Sequence, residues 1–363
     1  MELAIVGLPH VGKTTLFNAL TRSHVDVGTY DASVRDPNRA AVPVADERLV
    51  SLATAFDSVK VTSSMVSYVD AAGLSTGSVS SGRMSDELLG GLRATDALVH
   101  VVRAFRSDHV PHAYDTLDPV RDVSAVEVEF AIADLQIVEK RLDRLVRELR
   151  AHKDVALQRE QDLLRRCKET LESDLPLREL RTTSDEERVL RGFQFLTKKP
   201  MLLVLNMDER DSESEDVPTP LQEWAAKAHA GLVPICAETE AELADMSDEE
   251  AAAFRSDLGL DPVPAIRRVV RESQQLLNII TFYTADEKEV RAWALRQGST
   301  ALDAAGTIHS DLERGFIRAE AVAWDALAAT GSYSKARVSG DLRLEGRDYI
   351  VQDGDVVYVR FNV

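Results

Sequence analysis

The sequence predicts an α/β protein: a mainly parallel sheet, interrupted by an inserted antiparallel helical arm and followed by a smaller α+β domain. Three observations carry that expectation. Short runs of continuous apolar residues alternate with helical stretches, the pattern of a parallel sheet covered on both faces. About a hundred residues separate the third run from the fourth, far more than a crossover needs. After Ile279 the pattern changes to short alternating runs.

Glu2 to Val6 reads as a buried strand ending at Gly7, and Thr14 to Thr21 as the helix that follows. Further strands are expected at Met65 to Val69, Ala97 to Val102, Met201 to Leu205 and Leu232 to Cys236. In the insert, Leu135, Val138, Leu142, Leu145 and Leu149 recur at spacings of three and four, a seam of coiled-coil type. Leu157, Leu164, Cys167 and Leu171 continue it beyond a polar break at His152–Asp154, which predicts two antiparallel helices. A third helix is expected to start at Ser184, where Ser-x-x-Glu to Glu187 matches a capping box. In the tail, Asp348–Val351 and Val356–Phe361 flank Gln352-Asp353-Gly354-Asp355, a turn signal between two strand candidates. The domain boundaries expected from this are 1–135 with 200–278 for the sheet domain, 136–199 for the helical insert and 279–363 for the last domain.

A formal charge of −18 argues against a general electrostatic coat for nucleic acid and leaves room only for a local basic face. The helical insert is the one region with such a bias, sixteen basic against thirteen acidic residues. No stretch approaches the roughly 20 apolar residues that span a bilayer, and no secretory segment opens the chain. Two cysteines, Cys167 and Cys236, do not make a disulfide framework, so a reducing cytoplasm is the expected location. Both cysteines read as small buried hydrophobes.

Gly7-Leu-Pro-His-Val-Gly12-Lys13-Thr14 fits G-x-x-x-x-G-K-[ST], after a strand and before a helix. The glycines let the backbone curl so that its N–H groups face phosphate oxygens, and the helix N-terminus adds a favourable dipole. Backbone from His10 through Val11, Gly12, Lys13 and Thr14 to Thr15 is expected to hold the phosphates. Lys13 would set a point charge against the β and γ phosphates, and the Thr14 hydroxyl would ligate Mg²⁺. Asp70-Ala-Ala-Gly73 follows the second strand; Asp70 would hold the metal through water, and Gly73 would offer its N–H to the γ-phosphate. Leu74 stands where many GTPases place the glutamine that orients the attacking water. Asn206-Met207-Asp208-Glu209 occupies the place of the guanine-reading Asn-Lys-x-Asp, and its longer carboxylate weakens guanine selectivity. His100, inside an apolar strand, reads as structural.

With these residues in place, the chain resembles the YchF/Obg-like ATPases, a family of P-loop NTPases. The resemblance runs through GLPHVGKTTLFNAL, DAAGL, DALVHVVRAF and NMDE, and is most specific in FYTADEKEVRAW, AAGTIHSDLERGFIRAE and EGRDYIVQDGDVVYVRFNV. It implies a P-loop domain, an antiparallel helical arm and a C-terminal TGS domain of the ubiquitin-like β-grasp kind. It also implies ATP preferred over or used beside GTP, ribosome binding, and a link to translation and stress responses. His112 falls where the family has a histidine in a loop near the switch regions, a candidate for orienting water or sensing phosphate.

The chain departs from the family at several positions. His10 replaces an Asn that binds potassium in related hydrolases, which argues against potassium stimulation. Val34 replaces the threonine expected near Mg²⁺, with Ser33 or Thr29 as substitutes only if the loop shifts, and the segment from Ser80 to Ser85 has fewer glycines. The expectation is a slow Mg²⁺-dependent ATPase, cytoplasmic and monomeric, that binds the ribosome at the large subunit and its RNA. A nucleotide-sensing ribosome-binding module with negligible hydrolysis and a GTPase switch are the rival readings.

Overall fold

A computed structural model describes residues 1–22, 38–71, 86–114, 116–151, 154–209 and 217–362. The strands are β1 (Glu2–Val6), β2 (Asn38–Pro43), β3 (Lys60–Thr62), β4 (Met65–Asp70), β5 (Ala97–Arg103), β6 (Met201–Asn206), β7 (Gly231–Ile235), β8 (Ile279–Ala285), β9 (Glu289–Arg296), β10 (Phe316–Ala323), β11 (Arg343–Glu345) and β12 (Asp355–Phe361). The helices are α1 (Lys13–Thr21), α2 (Glu47–Phe56), α3 (Asp86–Ala94), α4 (Pro119–Ala151), α5 (Val155–Glu172), α6 (Ser184–Arg191), α7 (Thr219–Lys227), α8 (Ala237–Ala244), α9 (Asp248–Asp257), α10 (Ala265–Leu276), α11 (Ala301–Ile308), α12 (Ser310–Arg314), α13 (Trp324–Thr330) and α14 (Tyr333–Ser339).

The chain forms two compact units, Met1–Ala40 with Ser67–Val269 and Ala41–Val66 with Val270–Val363. The first is built on a sheet of order β2-β4-β1-β5-β6-β7. The β4-β1-β5-β6-β7 pairings are parallel, as predicted. Every residue of β5 and β6 is buried, which is why these strands read as unbroken apolar runs.

The helical arm pairs α4 with α5 around Val138, Leu145, Leu163, Leu164, Cys167 and Leu171. The helix break falls where expected, with Asp154 capping α5 through the N–H groups of Ala156 and Leu157. Two details differ from the sequence reading. Helix α4 begins at Pro119, well before residue 136, so the arm grows out of a helix rooted beside the sheet. The capping box of α6 uses Thr183 and Glu186, because Thr183 and Ser184 both satisfy the S/T-x-x-E pattern and only Thr183 has the extended backbone of an N-cap. At the base of the arm, fully buried Asp134 accepts from Leu196 N (3.0 Å), Thr197 N (2.8 Å) and Thr197 Oγ1 (2.8 Å). Burial pushes its carboxyl up to about 6 against the pull of those hydrogen bonds.

The second unit has a mixed sheet of order β11-β10-β12-β8-β9-β3. The β8–β9 hairpin, with β12 parallel to β8 and antiparallel to β10, gives the β-grasp arrangement. Apolar clusters cover both faces, one centred on Phe282, Ala301, Ala304 and Val357, the other on Tyr283, Val322, Leu327 and Val356. The second cluster includes Leu49 and Leu52 of α2, and β3 extends the sheet in parallel beside β9. Tyr283 Oη donates to Asp46 (2.5 Å), Arg48 pairs with Asp353 (2.6 Å), and Thr62 Oγ1 donates to Glu289 (2.6 Å). Asp46 is held below the usual carboxylate range: burial opposes the anion, but hydrogen bonds from Arg48 and Tyr283 outweigh it. The sequence reading places the last domain at 279–363; in the structure that unit begins at Val270 and also takes in Ala41–Val66. Asp348–Val351, expected as a strand, makes only a bridge from Ile350 to Thr300. The turn that follows reverses through Gly354 at φ +88, which a side chain rarely adopts.

Candidate functional site

Parallel pairing aligns the carboxyl ends of the strands, where open α/β sheets bind ligands. Ile5 stands beside Asp70, Val6 beside His100, Arg103 beside Asn206, and Asn206 beside Ile235. The loop from Gly7 to Gly12 leaves β1 at this edge and enters α1.

Its two glycines are required by space as well as by conformation. At Gly7 (φ +146) a Cβ would overlap the Val101 carbonyl, and at Gly12 (φ +95) it would overlap the Asn206 amide. His10 at the tip also takes a left-handed backbone (φ 60) and is exposed, while Val11 is buried. Leu16 N bonds Gly12 O at 2.9 Å, closing the first turn of α1, with Thr14 and Thr15 half-buried in it.

Lys13 is 4% exposed and donates to Gly7 O (3.2 Å) and Leu8 O (2.7 Å), so its ammonium lies under the curled loop. Burial lowers its pKa to about 8, against an opposing pull from Asp70. Thr14 Oγ1 donates to Asp70 Oδ2 at 3.0 Å. Burial raises the Asp70 carboxyl, resisted by the Thr14 bond and by Lys13. A carboxylate short of compensating charge beside a hydroxyl is a pair of hard oxygens suited to Mg²⁺, which takes few protein ligands and completes its shell with phosphate and water. Among the described residues no cluster of three or more His, Cys, Asp or Glu offers a metal site of another kind.

Asn206 is 5% exposed and bonded in two directions. Its Nδ2 donates to Val11 O and its Oδ1 accepts from Ala237 N, both at 3.0 Å. One amide thus ties the phosphate loop to the start of α8. Met207 is buried, with its N–H on Ile235 O (2.8 Å), and Glu209 is exposed beyond it. Asp208 accepts from Arg106 N at 3.1 Å.

His112 lies at the root of α4. Its Nδ1 lies 2.8 Å from Tyr114 O and 3.0 Å from Tyr114 N. Its Nε2 stands 3.1 Å from Asp122 Oδ2 without the alignment of a hydrogen bond. Both ring nitrogens therefore face protein groups at the root of α4, where Arg121 also binds Asp122 (2.7 Å). His100 is fully buried, with its pKa driven to about 3 by burial and by the nearby Lys13 and Arg178 charges.

Arg103 was not singled out by motif. It donates to the carbonyls of Phe105 (3.2 Å), Val110 (3.1 Å) and Pro111 (3.0 Å), with its guanidinium 4.2 Å from the Phe105 ring. It fixes the loop leaving β5, and its place at the carboxyl end of a strand was the available signal. Thr29, Ser33, Val34, Gly73, Leu74 and the segment 80–85 lie outside the described residues.

Several arginines of the arm are engaged within it. Arg141 binds Glu160 (2.7 Å) and Glu148 (3.2 Å), Arg165 binds Asp162 (3.4 Å), Arg166 binds Glu186 (2.5 Å), and Arg147 donates to Asp143 O (3.2 Å).

Comparison with known proteins agrees with this geometry. A family described as "50S ribosome-binding GTPase" matches residues 2–207, and the C-terminal family of YchF GTPases, described as "Protein of unknown function (DUF933)", matches residues 279–362. The "Ribosome-binding ATPase YchF" of Haemophilus ducreyi is 39% identical over 363 residues, covering 100% of this chain and 99% of that protein. The Bacillus subtilis protein of the same name is 38% identical, with 100% of both chains covered. The solved structure of the Schizosaccharomyces pombe YchF GTPase superposes with a TM-score of 0.87 at 29% identity, covering 99% of this chain and 97% of that one.

Proposed function

The chain belongs to the YchF family, and on that premise we propose that it is a ribosome-associated, Mg²⁺-dependent ATPase that cleaves ATP to ADP and phosphate slowly. The observation that supports this best is the assembled phosphate loop: two sterically obligatory glycines, a buried lysine beneath them, and Thr14 against Asp70.

In this reading the backbone from His10 to Thr15 takes the phosphates, and Lys13 turns from Gly7 and Leu8 carbonyls to the β and γ oxygens. Thr14 and Asp70 hold Mg²⁺, and Gly73 takes the γ-phosphate. The metal, when bound, neutralises charge on the β and γ phosphates. Water attacks the γ-phosphorus, the bond to the bridging oxygen breaks, and ADP leaves. Asn206 holds the phosphate loop while Met207 and Glu209 frame the base. His112 positions the loop before α4 in this arrangement, through Tyr114 and Asp122, and is not assigned a water-orienting role. Ribosome binding rests on the names of the relatives, and the large subunit on the matched family's description. Among the described residues no helix is long and apolar enough to cross a membrane.

The test is titration of the full chain with labelled ATP and GTP in Mg²⁺, beside co-sedimentation with ribosomes and their separated subunits. The proposal expects ATP to bind at least as tightly as GTP, and the protein to travel with the large subunit. Strong GTP preference returns the reading to a GTPase switch, and absence from the ribosomal fractions removes the partner.

A further inference from the structure

The first unit contains a cavity of about 280 Å³ between the last turn of α1, helices α8 and α9, and the start of α10. That is just under the roughly 300–1,000 Å³ of pockets for drug-sized ligands, so it suits a smaller molecule. Ala19, Leu243, Ala251 and Pro264 are among its apolar walls. Helix α1 runs from Lys13 to Thr21, which sets its cavity end about 12 Å from the phosphate loop at roughly 1.5 Å per residue. The cavity is therefore separate from the place of the phosphates. Its charged lining is Arg22, Arg255, Arg267, Glu240 and Asp248. Glu240 and Arg255 are 7% and 6% exposed and pair at 2.6 Å. Glu240 is also spent on backbone, accepting from Ala265 N (3.0 Å) and Ile266 N (3.5 Å) in the first turn of α10. Asp248 pairs with Arg22 at 3.1 Å on the exposed rim.

Both carboxylates are thus engaged, and the arginines are not. Arg255 uses only Nη2 on Glu240; its Nε and Nη1 have no acceptor among the described residues and are not sealed off, so they open into the cavity the residue lines. Buried guanidinium donors are normally paired, and an open set marks the place of an acceptor from outside the chain. Arg267 is exposed and has no side-chain partner among the described residues. Three arginines against two carboxylates leave one uncompensated positive charge. A metal cation would find both carboxylates taken. A phosphate dianion would exceed the available charge and face Glu240 and Asp248 at close range. A carboxylate matches both the charge and the planar fork of arginine, and the apolar walls suit a hydrocarbon body. We propose that this cavity binds a small organic monocarboxylate, with its carboxylate on the open donors of Arg255 and its apolar body against Leu243, Ala251 and Pro264.

The test is a ligand-observed NMR titration of the full chain with benzoate and hexanoate, beside benzamide and hexanamide as neutral counterparts of the same shape. The chain should bind both acids and favour each over its amide by about tenfold, the worth of a hydrogen bond to a charged group. Inorganic phosphate should displace the acids poorly. Arg255→Lys keeps a cation against Glu240 and loses the fork, so it should weaken the acids about tenfold without stranding the carboxylate. Ala251→Leu fills the cavity and leaves the ion pair in place, and it should abolish binding of the acids. Circular dichroism and the melting temperature check that each variant is folded. No binding of either acid by the parent, equal binding of the amides, equal displacement by phosphate, or parental binding in either folded variant overturns the proposal.

Discussion

Asn206→Ala is the substitution whose consequence follows most directly from the site's geometry. It deletes the donor to Val11 O and the acceptor of Ala237 N, two 3.0 Å hydrogen bonds in a pocket where the side chain is 5% exposed. A buried group left without a partner costs about 1–3 kcal/mol, and the carbonyl, with its second lone pair, sits at the low end, so the pair amounts to about 2–4 kcal/mol. Part of that is lost from stability and part reappears as disorder of the phosphate loop that ATP must reverse. At 1.4 kcal/mol per tenfold, ATP affinity should fall by about 10- to 100-fold. Calorimetric titration with MgATP measures it, with Asn206→Asp as the companion: it keeps the acceptor for Ala237 and sets an anion against the Val11 carbonyl. Parent-like affinity in Asn206→Ala, with its melting temperature also unchanged, would refute the claim that this amide holds the loop.

Glu209→Asp should raise GTP affinity relative to ATP by shortening the carboxylate toward the guanine-reading length; competition titration reads the ratio, and an unchanged ratio removes Glu209 from base selection. Asp134 gives a pH dependence. Its folded pKa of about 6 lies above the unfolded value of 3.8, so the folded state prefers the protonated acid. Its contribution is therefore full at low pH and is lost as pH rises from about 4 to 6, by at most about 3 kcal/mol at 1.36 kcal/mol per unit. Urea unfolding of the parent and of Asp134→Asn at the two ends of that window should show the parent's stability falling relative to the mutant's; a constant difference would show that the carboxyl does not titrate there.

The phosphate loop was legible because its chemistry is local: sterics allow only glycine at Gly7 and Gly12, and the strand and helix around them are set by short-range pattern. Of the five parallel strands, β1, β5 and β6 were the most legible, because burial on both faces leaves nearly continuous apolar runs. Strand β3 was not, since three residues carry no periodicity and its pairing partner is Glu289–Arg291, more than two hundred residues away. Helix α2 shows an apolar Leu49/Leu52 edge, but nothing local says that Tyr283 and Val322 supply the core it joins. The insert's boundary failed for a related reason: α4 is continuous from Pro119, so the step from sheet domain to arm happens inside one helix. At α6 two overlapping capping patterns differed only in backbone conformation. Arg103 and Asp134 escaped because each acts mainly on backbone groups, and no chemical motif singles out either side chain.

The central claim is that Lys13 and the groups around it support hydrolysis of ATP. The most direct measurement is single-turnover release of phosphate from ATP with Mg²⁺, in the parent and in Lys13→Ala. The account predicts slow release of one phosphate and one ADP per bound ATP by the parent, and loss of both binding and release in the mutant with its fold intact. A parent that binds ATP and releases no phosphate, or a mutant that releases it at the parental rate, would contradict it.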